Sequence, residues 1–428
     1  MAVAILVLSF LVLLSIGTPI AWCIGIAATL TMLVSIPALP ALTTVAQQMA
    51  TGLDSFGLLA IPFFILAGQL MNRGGIAQRL IAFARALVGG LPGGLAHVNI
   101  IAAMLFGAIA GSAVAAASAI GGTVGKAMEE EGFDREFAAA VNITSSTTGL
   151  VIPPSNILIV YSLASGGVSI AALFLAGYLP GLLVGLTLMV VAAVIARRRG
   201  YRNRNRFDPG QVGRTFVAAL PSLLLLVIVI GGIVGGVFTA TEASGVAVVY
   251  CLLLGMYYGE LVPAELGRVF LDAVGVTAIV MILIAASMSM SWIMAYENIP
   301  QDITTALLGL SDNPVVIMVV INLILLFVGV FMDMTPAVLI FTPIFLPVAT
   351  ELGFSPVHFG IVMILNLCIG LCTPPVGSVL FVGVGVAGTT IQRVTRPLLP
   401  FFVAMLVALL VVTLVPGLST WLPGVFGY

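Results

Sequence analysis

One 25-residue pattern occurs twice in this chain, and each copy ends in a pair of prolines. Glu130 to Pro154 overlays Glu351 to Pro375 without a gap, at an offset of 221. Nine positions are identical: Glu130, Gly132, Phe133, Val141, Ile143, Gly149, Leu150, Pro153 and Pro154 in the first copy. Chance in so apolar a chain gives roughly two. The chain therefore consists of two copies of one unit. A Pro-Pro pair lacks two backbone donors, so neither copy runs through it as a continuous helix.

The solvent of these units is a bilayer. Of 428 residues, 61% are apolar and 7% charged, and the mean hydropathy is +1.26. A water-soluble chain carries about a quarter charged residues. Here apolar runs long enough to cross hydrocarbon recur from end to end. The start, Met1 to Ile20, has no basic n-region and no small-residue cleavage pattern, so it reads as a retained first span. Cys23, Cys251, Cys368 and Cys372 all lie inside apolar segments, with no His or further Cys at ligand spacing, and read as small packing residues.

Apolar segments are placed at about 2–20, 20–36, 56–72, 95–130, 136–165, 169–197, 214–236, 240–258, 270–296, 313–350, 356–387 and 397–418. Two of them, 95–130 and 313–350, are too long for one span and read as hairpins. The first breaks at Gly107 and Gly111-Ser112, the second at Gly329 and Asp333-Met334-Thr335-Pro336. Each hairpin precedes a span broken at Pro153-Pro154 or Pro374-Pro375. Stretches 76–90 and 299–310 put charge on one face and apolar side chains on the other, and read as interfacial arm helices. The fold class is thus an all-α polytopic membrane protein. Its organisation is 1–50 as N-terminal scaffold helices, 51–200 as the first repeat, 201–269 as a basic loop with scaffold helices, and 270–428 as the second repeat.

Five crossings separate the two hairpins. An odd number turns the second unit over, so the repeats have inverted topology. Placing the loop from Arg197 to Arg206 in the cytoplasm puts all fifteen basic residues on that side and both termini on the other.

Backbone left unpaired in hydrocarbon is tolerated only where it lines a cavity or site. Here that occurs at two tips and two Pro-Pro breaks. Gly111-Ser112-Ala113 is expected to face Ser145 to Ser155, and Asp333 to Pro336 is expected to face Asn366 to Gly377. Freed carbonyls, hydroxyls and one carboxylate form an oxygen shell suited to a hard cation such as Na+. Half-helix N-termini beyond the prolines offer an anion cradle. Ser146, Thr147, Ser155, Thr335 and Gly377 are the expected substrate contacts. Asp333 is the only acidic residue placed deep in the membrane, and either binds an ion or caps the following half-helix. No Lys or Arg reaches the midplane. An anionic substrate would then need backbone N–H groups, hydroxyls, helix dipoles and a co-bound cation.

His97 and His358 sit near segment starts, and neither H-E-x-x-H nor a partnered G-x-S-x-G occurs, so an enzyme is not expected. A P-loop is likewise missing from the sequence, so ATP is not the expected direct energy source. A cation-coupled carrier and a channel remain open, as does an autonomous cation- or proton-coupled organic anion transporter.

At the hairpin and break motifs the chain resembles the large membrane subunit of the tripartite ATP-independent periplasmic (TRAP) transporters. The resemblance spans nearly the whole chain: G-L-D-S-F from Gly52, I-P-F-F-I-L-A-G from Ile61, A-G-S from Ala110, S-S-T-T-G-L-V-I-P-P-S from Ser145, F-M-D-M-T-P from Phe331 and N-L-C-I-G-L-C-T-P-P-V-G from Asn366. It implies an elevator-type ion transporter fold and a Na+-driven importer of carboxylate-bearing solutes in a bacterial or archaeal cytoplasmic membrane. It also implies two partners, a small membrane subunit and a periplasmic substrate-binding protein. The family's cation sites carry over to Gly111, Ser112, Ser145 and Pro153 on one side, and to Asp333, Thr335, Asn366 and Thr373 on the other. The first tip departs from the family pattern, with Ala113 where a second serine is usual.

Overall fold

The structure is a computed structural model that describes residues 1–201 and 208–428. Arg202, Arg204 and Arg206 of the basic loop lie outside the described residues. The chain opens with α1 (Ala2–Ser15), α2 (Ile20–Ser35) and α3 (Ala38–Leu53), followed by a 3-10 turn at Phe56–Leu59, α4 (Ala60–Arg73) and α5 (Ile76–Val88). The first hairpin is α6 (Gly94–Ala110) and α7 (Ala113–Ile120), which passes through a π-turn at Gly121–Gly125 into α8 (Lys126–Glu130). Its broken span is α9 (Arg135–Thr148) and α10 (Asn156–Ala164). Four long helices follow: α11 (Ile170–Arg199), α12 (Pro209–Val234), α13 (Ala240–Tyr257) and α14 (Pro263–Tyr296). The second unit is α15 (Ile299–Leu308), the hairpin α16 (Pro314–Phe331) and α17 (Met334–Glu351), and the broken span α18 (Pro356–Gly370) and α19 (Ser378–Ala387). The chain closes with α20 (Ile391–Leu414) and α21 (Gly417–Val425).

Among the described residues, eight helical segments are long and apolar enough to cross a bilayer, and the half-helices at the breaks are shorter. Both hairpins, both breaks and both arm helices stand where the sequence places them. Three differences are instructive. The segment list has no place for α3, because Gln47, Gln48 and several threonines dilute its hydropathy. The last long helix starts at Ile391 rather than about 397 and runs through Pro397 and Pro400, as membrane helices can when neighbours satisfy the freed carbonyls. Gly107 and Gly329 are not breaks. Both lie inside continuous first arms, α6 and α16, with the chain leaving the helix only at Gly111-Ser112 and Met332-Asp333.

Those two glycines explain how each unit holds together. A Cβ on Gly107 would fall 2.9 Å from the Cα of Gly149, and one on Gly329 would fall 3.1 Å from the Cα of Gly370. Each hairpin therefore meets its own broken helix backbone to backbone, through a glycine pair that recurs in both repeats. At the centre of the molecule the two broken helices cross. Every residue from 137 to 148 in α9 and from 358 to 370 in α18 is buried. Cys372 Sγ lies 3.3 Å from the carbonyl oxygen of Ile143 across that crossing, and all four cysteines are buried and unbridged.

Among the described residues, four ion pairs each involve a charged residue at a helix end. Arg85 of α5 pairs with Glu131 at 3.3 Å, Arg135 pairs with Glu129 at 3.1 Å, and Arg199 at the end of α11 pairs with Asp134 at the start of α9. Arg73 pairs with Asp272 of α14 at 2.6 Å. The first three pairs converge on the turn between α8 and α9 and form one polar rim.

Candidate functional site

Four helices begin at the same place. The first residues of α7, α10, α17 and α19 all line one cavity of about 310 Å³, together with the ends of the two hairpins and a wall from α4 and α14. Chain breakers position each N-terminus. Gly111 adopts φ 61°, the left-handed conformation that glycine enters freely, and Ser112 is extended and caps α7, its Oγ accepting from Ala115 N–H at 3.2 Å. The Pro-Pro pairs precede α10 and α19. Each N-terminus carries roughly half a positive charge.

Among the described residues, Asp333 is the one charged residue lining the cavity. It occupies the N-cap position of α17 without a side-chain cap hydrogen bond. Its Oδ1 instead accepts from Ser378 Oγ at 3.4 Å, bridging the second hairpin tip to the second break. Ser112 thus caps its helix through a side-chain hydrogen bond that Asp333 lacks, although the two occupy the same position in the two repeats. At the second break, Leu371 O accepts from the N–H groups of Val379 and Leu380 at 3.2 and 3.3 Å. The first break has no such bond: the N–H groups of Asn156 and Ile157 have no acceptor among the described residues.

Of the sequence-selected residues, Gly111, Ser112, Asp333 and Thr335 line the cavity. The others lie behind it. Ser146 and Thr147 are fully buried inside α9, and their hydroxyls donate to the carbonyls of Asn142 and Thr144. Gly377 closes the second break so tightly that a Cβ would sit 2.4 Å from Leu371 O. Thr373 Oγ1 donates to Ile369 O at 2.7 Å, and Pro153 is buried at the first break.

Ser145 and Asn366 form matched pairs with the first arms of the hairpins. Ser145 Oγ donates to Asn99 Oδ1 at 3.0 Å, and Asn366 Nδ2 donates to both the carbonyl oxygen and Oδ1 of Asn322 at 2.8 Å. Asn366 Oδ1 and Ser155 Oγ are buried with no hydrogen-bond partner among the described residues. Free, neutral oxygen acceptors of this kind fit a hard monovalent cation better than a transition metal, so these residues pass the chemical test for holding Na+. Sequence reasoning missed Asn99 and Asn322, and also Gln69, Asn72, Asn156 and Ser378 on the cavity wall. Asn99 and Asn322 are 223 apart rather than 221, which hides them from a gapless overlay.

A family model described as "Tripartite ATP-independent periplasmic transporter, DctM component" matches residues 7–418. The chain belongs to this family. It is thus a TRAP transporter large membrane subunit, of multi-pass architecture. Among similar proteins, YgiK of Salmonella typhimurium, described as uncharacterized, is 53% identical over 98% of this chain and 96% of its own length. The sialic acid TRAP transporter large permease protein SiaM of Vibrio cholerae is 40% identical over 90% of each chain. The crystal structure of the Alcanivorax borkumensis YdaH transporter shares the fold, with a TM-score of 0.61 at 15% identity, covering 91% of this chain and 89% of that one. Its likeness shows a shared all-helical transporter fold.

Proposed function

We propose that this TRAP subunit imports carboxylate-bearing organic acids across the bacterial cytoplasmic membrane, driven by a Na+ gradient. A periplasmic binding protein delivers the solute, and a small membrane subunit completes the permease. The observation that carries this reading is the convergence of both hairpin tips and both breaks on one cavity whose only charged side chain among the described residues is Asp333. Four helix N-termini favour a carboxylate there, while Asp333 repels it. A cation that enters with the solute resolves the conflict, and the free oxygens of Asn366 and Ser155 offer it ligands near the breaks. Each Na+ moving inward supplies about 2.3 kcal/mol per 100 mV. The relative named for sialic acid, itself a carboxylic acid, supports the solute class.

The glycine contacts support an elevator motion. Each hairpin is bound to its own broken helix, so the four elements can travel together past the α4 and α14 wall. The polar rim that joins Arg85, Arg135 and Arg199 to acidic partners is assigned to the cytoplasm, with both termini periplasmic.

Uptake into proteoliposomes tests this reading. The chain and its small partner are reconstituted, and radiolabelled organic acids are offered with or without binding protein, in Na+ or choline. Accumulation should require both Na+ and binding protein and should fall at least tenfold in Asp333→Ala. Accumulation indifferent to Na+ or to the binding protein would overturn it.

A further inference from the structure

Two carboxamides on the α4 wall of the cavity have no role in the reading above. Helix α4 presents one face to the cavity at Ile61, Ile65, Gly68, Gln69 and Asn72, positions that recur at helical spacing. The face is apolar for two turns and then polar. Gly68 sits where the first hairpin tip comes closest, since a Cβ there would fall 3.0 Å from Ala110 O. Gln69 and Asn72 therefore stand beside the tip that carries Gly111 and Ser112. Both are half-buried, and neither carboxamide has a hydrogen-bond partner among the described residues. The facing wall from α14 is apolar, with Val276, Ile279, Val280 and Leu283. In the second repeat the positions 221 residues on from Gln69 and Asn72 are Met290 and Ile293. The amides are thus not part of the duplicated framework.

We propose that Gln69 and Asn72 are specificity-determining residues that hydrogen-bond hydroxyl groups of the solute, selecting a small hydroxylated monocarboxylic acid of the sugar-acid class. This rests on the transport reading of the same cavity. A carboxamide both donates and accepts, and so does a hydroxyl, so the two groups match without charge. A second carboxylate fits poorly, because no basic side chain among the described residues lines the cavity and Asp333 already brings one negative charge. A purely aliphatic tail would leave two amides dry and unpaired, which a site built for hydroxyls penalises. A volume of about 310 Å³ holds a small acid.

The test uses the purified complex of this chain with its small subunit. Thermal stabilisation in Na+ is titrated with gluconate, with hexanoate as its deoxygenated counterpart, and with succinate. Ligand that binds only the folded protein raises Tm in proportion to its affinity. In the wild type, gluconate should reach half-maximal stabilisation at a concentration at least tenfold below either competitor. In Gln69→Leu and Asn72→Leu that ratio should fall toward one, with unliganded Tm and the shift produced by Na+ alone unchanged. Should a Leu variant not fold, Gln69→Met keeps the length and much of the volume, removes both donor and acceptor and should lose the same discrimination. Unchanged discrimination in the variants, or a wild-type preference for hexanoate or succinate, overturns the proposal. No stabilisation of the wild type by any of the acids, with or without Na+, would overturn the transport reading itself, and this proposal with it.

Discussion

Cys368 Sγ lies 3.3 Å from the carbonyl oxygen of Thr147, and the two residues occupy the same position in the two repeats, 221 apart. Equivalent positions related by a two-fold can touch only on its axis, so this contact marks where the pseudo-two-fold passes through the crossing of α9 and α18. The site is arranged around that axis. It is also the place where bulk matters most, because both helices are fully buried there.

Enlarging the axis should therefore cost more than deleting the thiol. Cys368→Ala removes a weak hydrogen bond and little volume, and should lower stability by no more than about 1 kcal/mol. Cys368→Leu forces extra carbon between two packed backbones and should cost about 1–3 kcal/mol. Thermal scans of the purified complex give both shifts, and equal shifts would mean that the crossing is loosely packed.

The glycine pairs predict a symmetric effect. A Cβ on Gly149 would fall 2.4 Å from the Cα of Gly107, and one on Gly370 would fall 2.6 Å from the Cα of Gly329. Gly149→Ala and Gly370→Ala should each destabilise by about 2–3 kcal/mol, since backbone cannot step aside as a side chain can. Gly245, inside α13 with open space around it, is the control. There alanine should be neutral or stabilising by up to about 1 kcal/mol. The readout is again Tm, with a mild Gly149→Ala as the outcome that counts against close helix contact.

At the polar rim the aromatic residue should outweigh the ion pairs. The Tyr201 ring lies 4.5 Å from Phe133 and 5.5 Å from Phe137, and its hydroxyl donates to Asp134 Oδ2 at 2.7 Å. Tyr201→Phe should cost about 1 kcal/mol through the lost hydrogen bond, and Tyr201→Ala about 2 kcal/mol or more through the lost packing. Glu131→Ala breaks its pair with half-exposed Arg85 and should stay within about 0.5 kcal/mol of wild type. A larger cost for Glu131→Ala would show that the rim is held by charge instead.

Breakers made the framework legible. Gly111, Asp333 and the duplicated Pro-Pro pairs interrupt helices whatever surrounds them, so a single sequence reveals them. Residues whose meaning depends on a partner are harder to read from a single sequence. Gly107 resembles a break in an apolar run, yet Gly149 is the reason for it. Ser146 and Thr147 look like ligands, but in a helix a hydroxyl can satisfy itself on a carbonyl one turn back. Gln69 and Asn72 are ordinary polar residues in a membrane helix until the hairpin tip is seen beside them. The substrate-facing wall is therefore the least readable part of the chain.

Sidedness can be decided by labelling. Placing the rim of Arg85, Arg135 and Arg199 in the cytoplasm makes the turns after α12 and α15 periplasmic, and those after α13 and α19 cytoplasmic. The native cysteines are all buried, which keeps the background of a thiol reagent low. Val237 and Asp312 are exposed in the first pair of turns, and Glu260 and Thr390 in the second. In intact cells an impermeant maleimide should label Val237→Cys and Asp312→Cys. It should reach Glu260→Cys and Thr390→Cys only after lysis. The reverse pattern would invert the whole molecule in the membrane, while a mixed pattern would break the odd crossing count on which the inverted repeat rests.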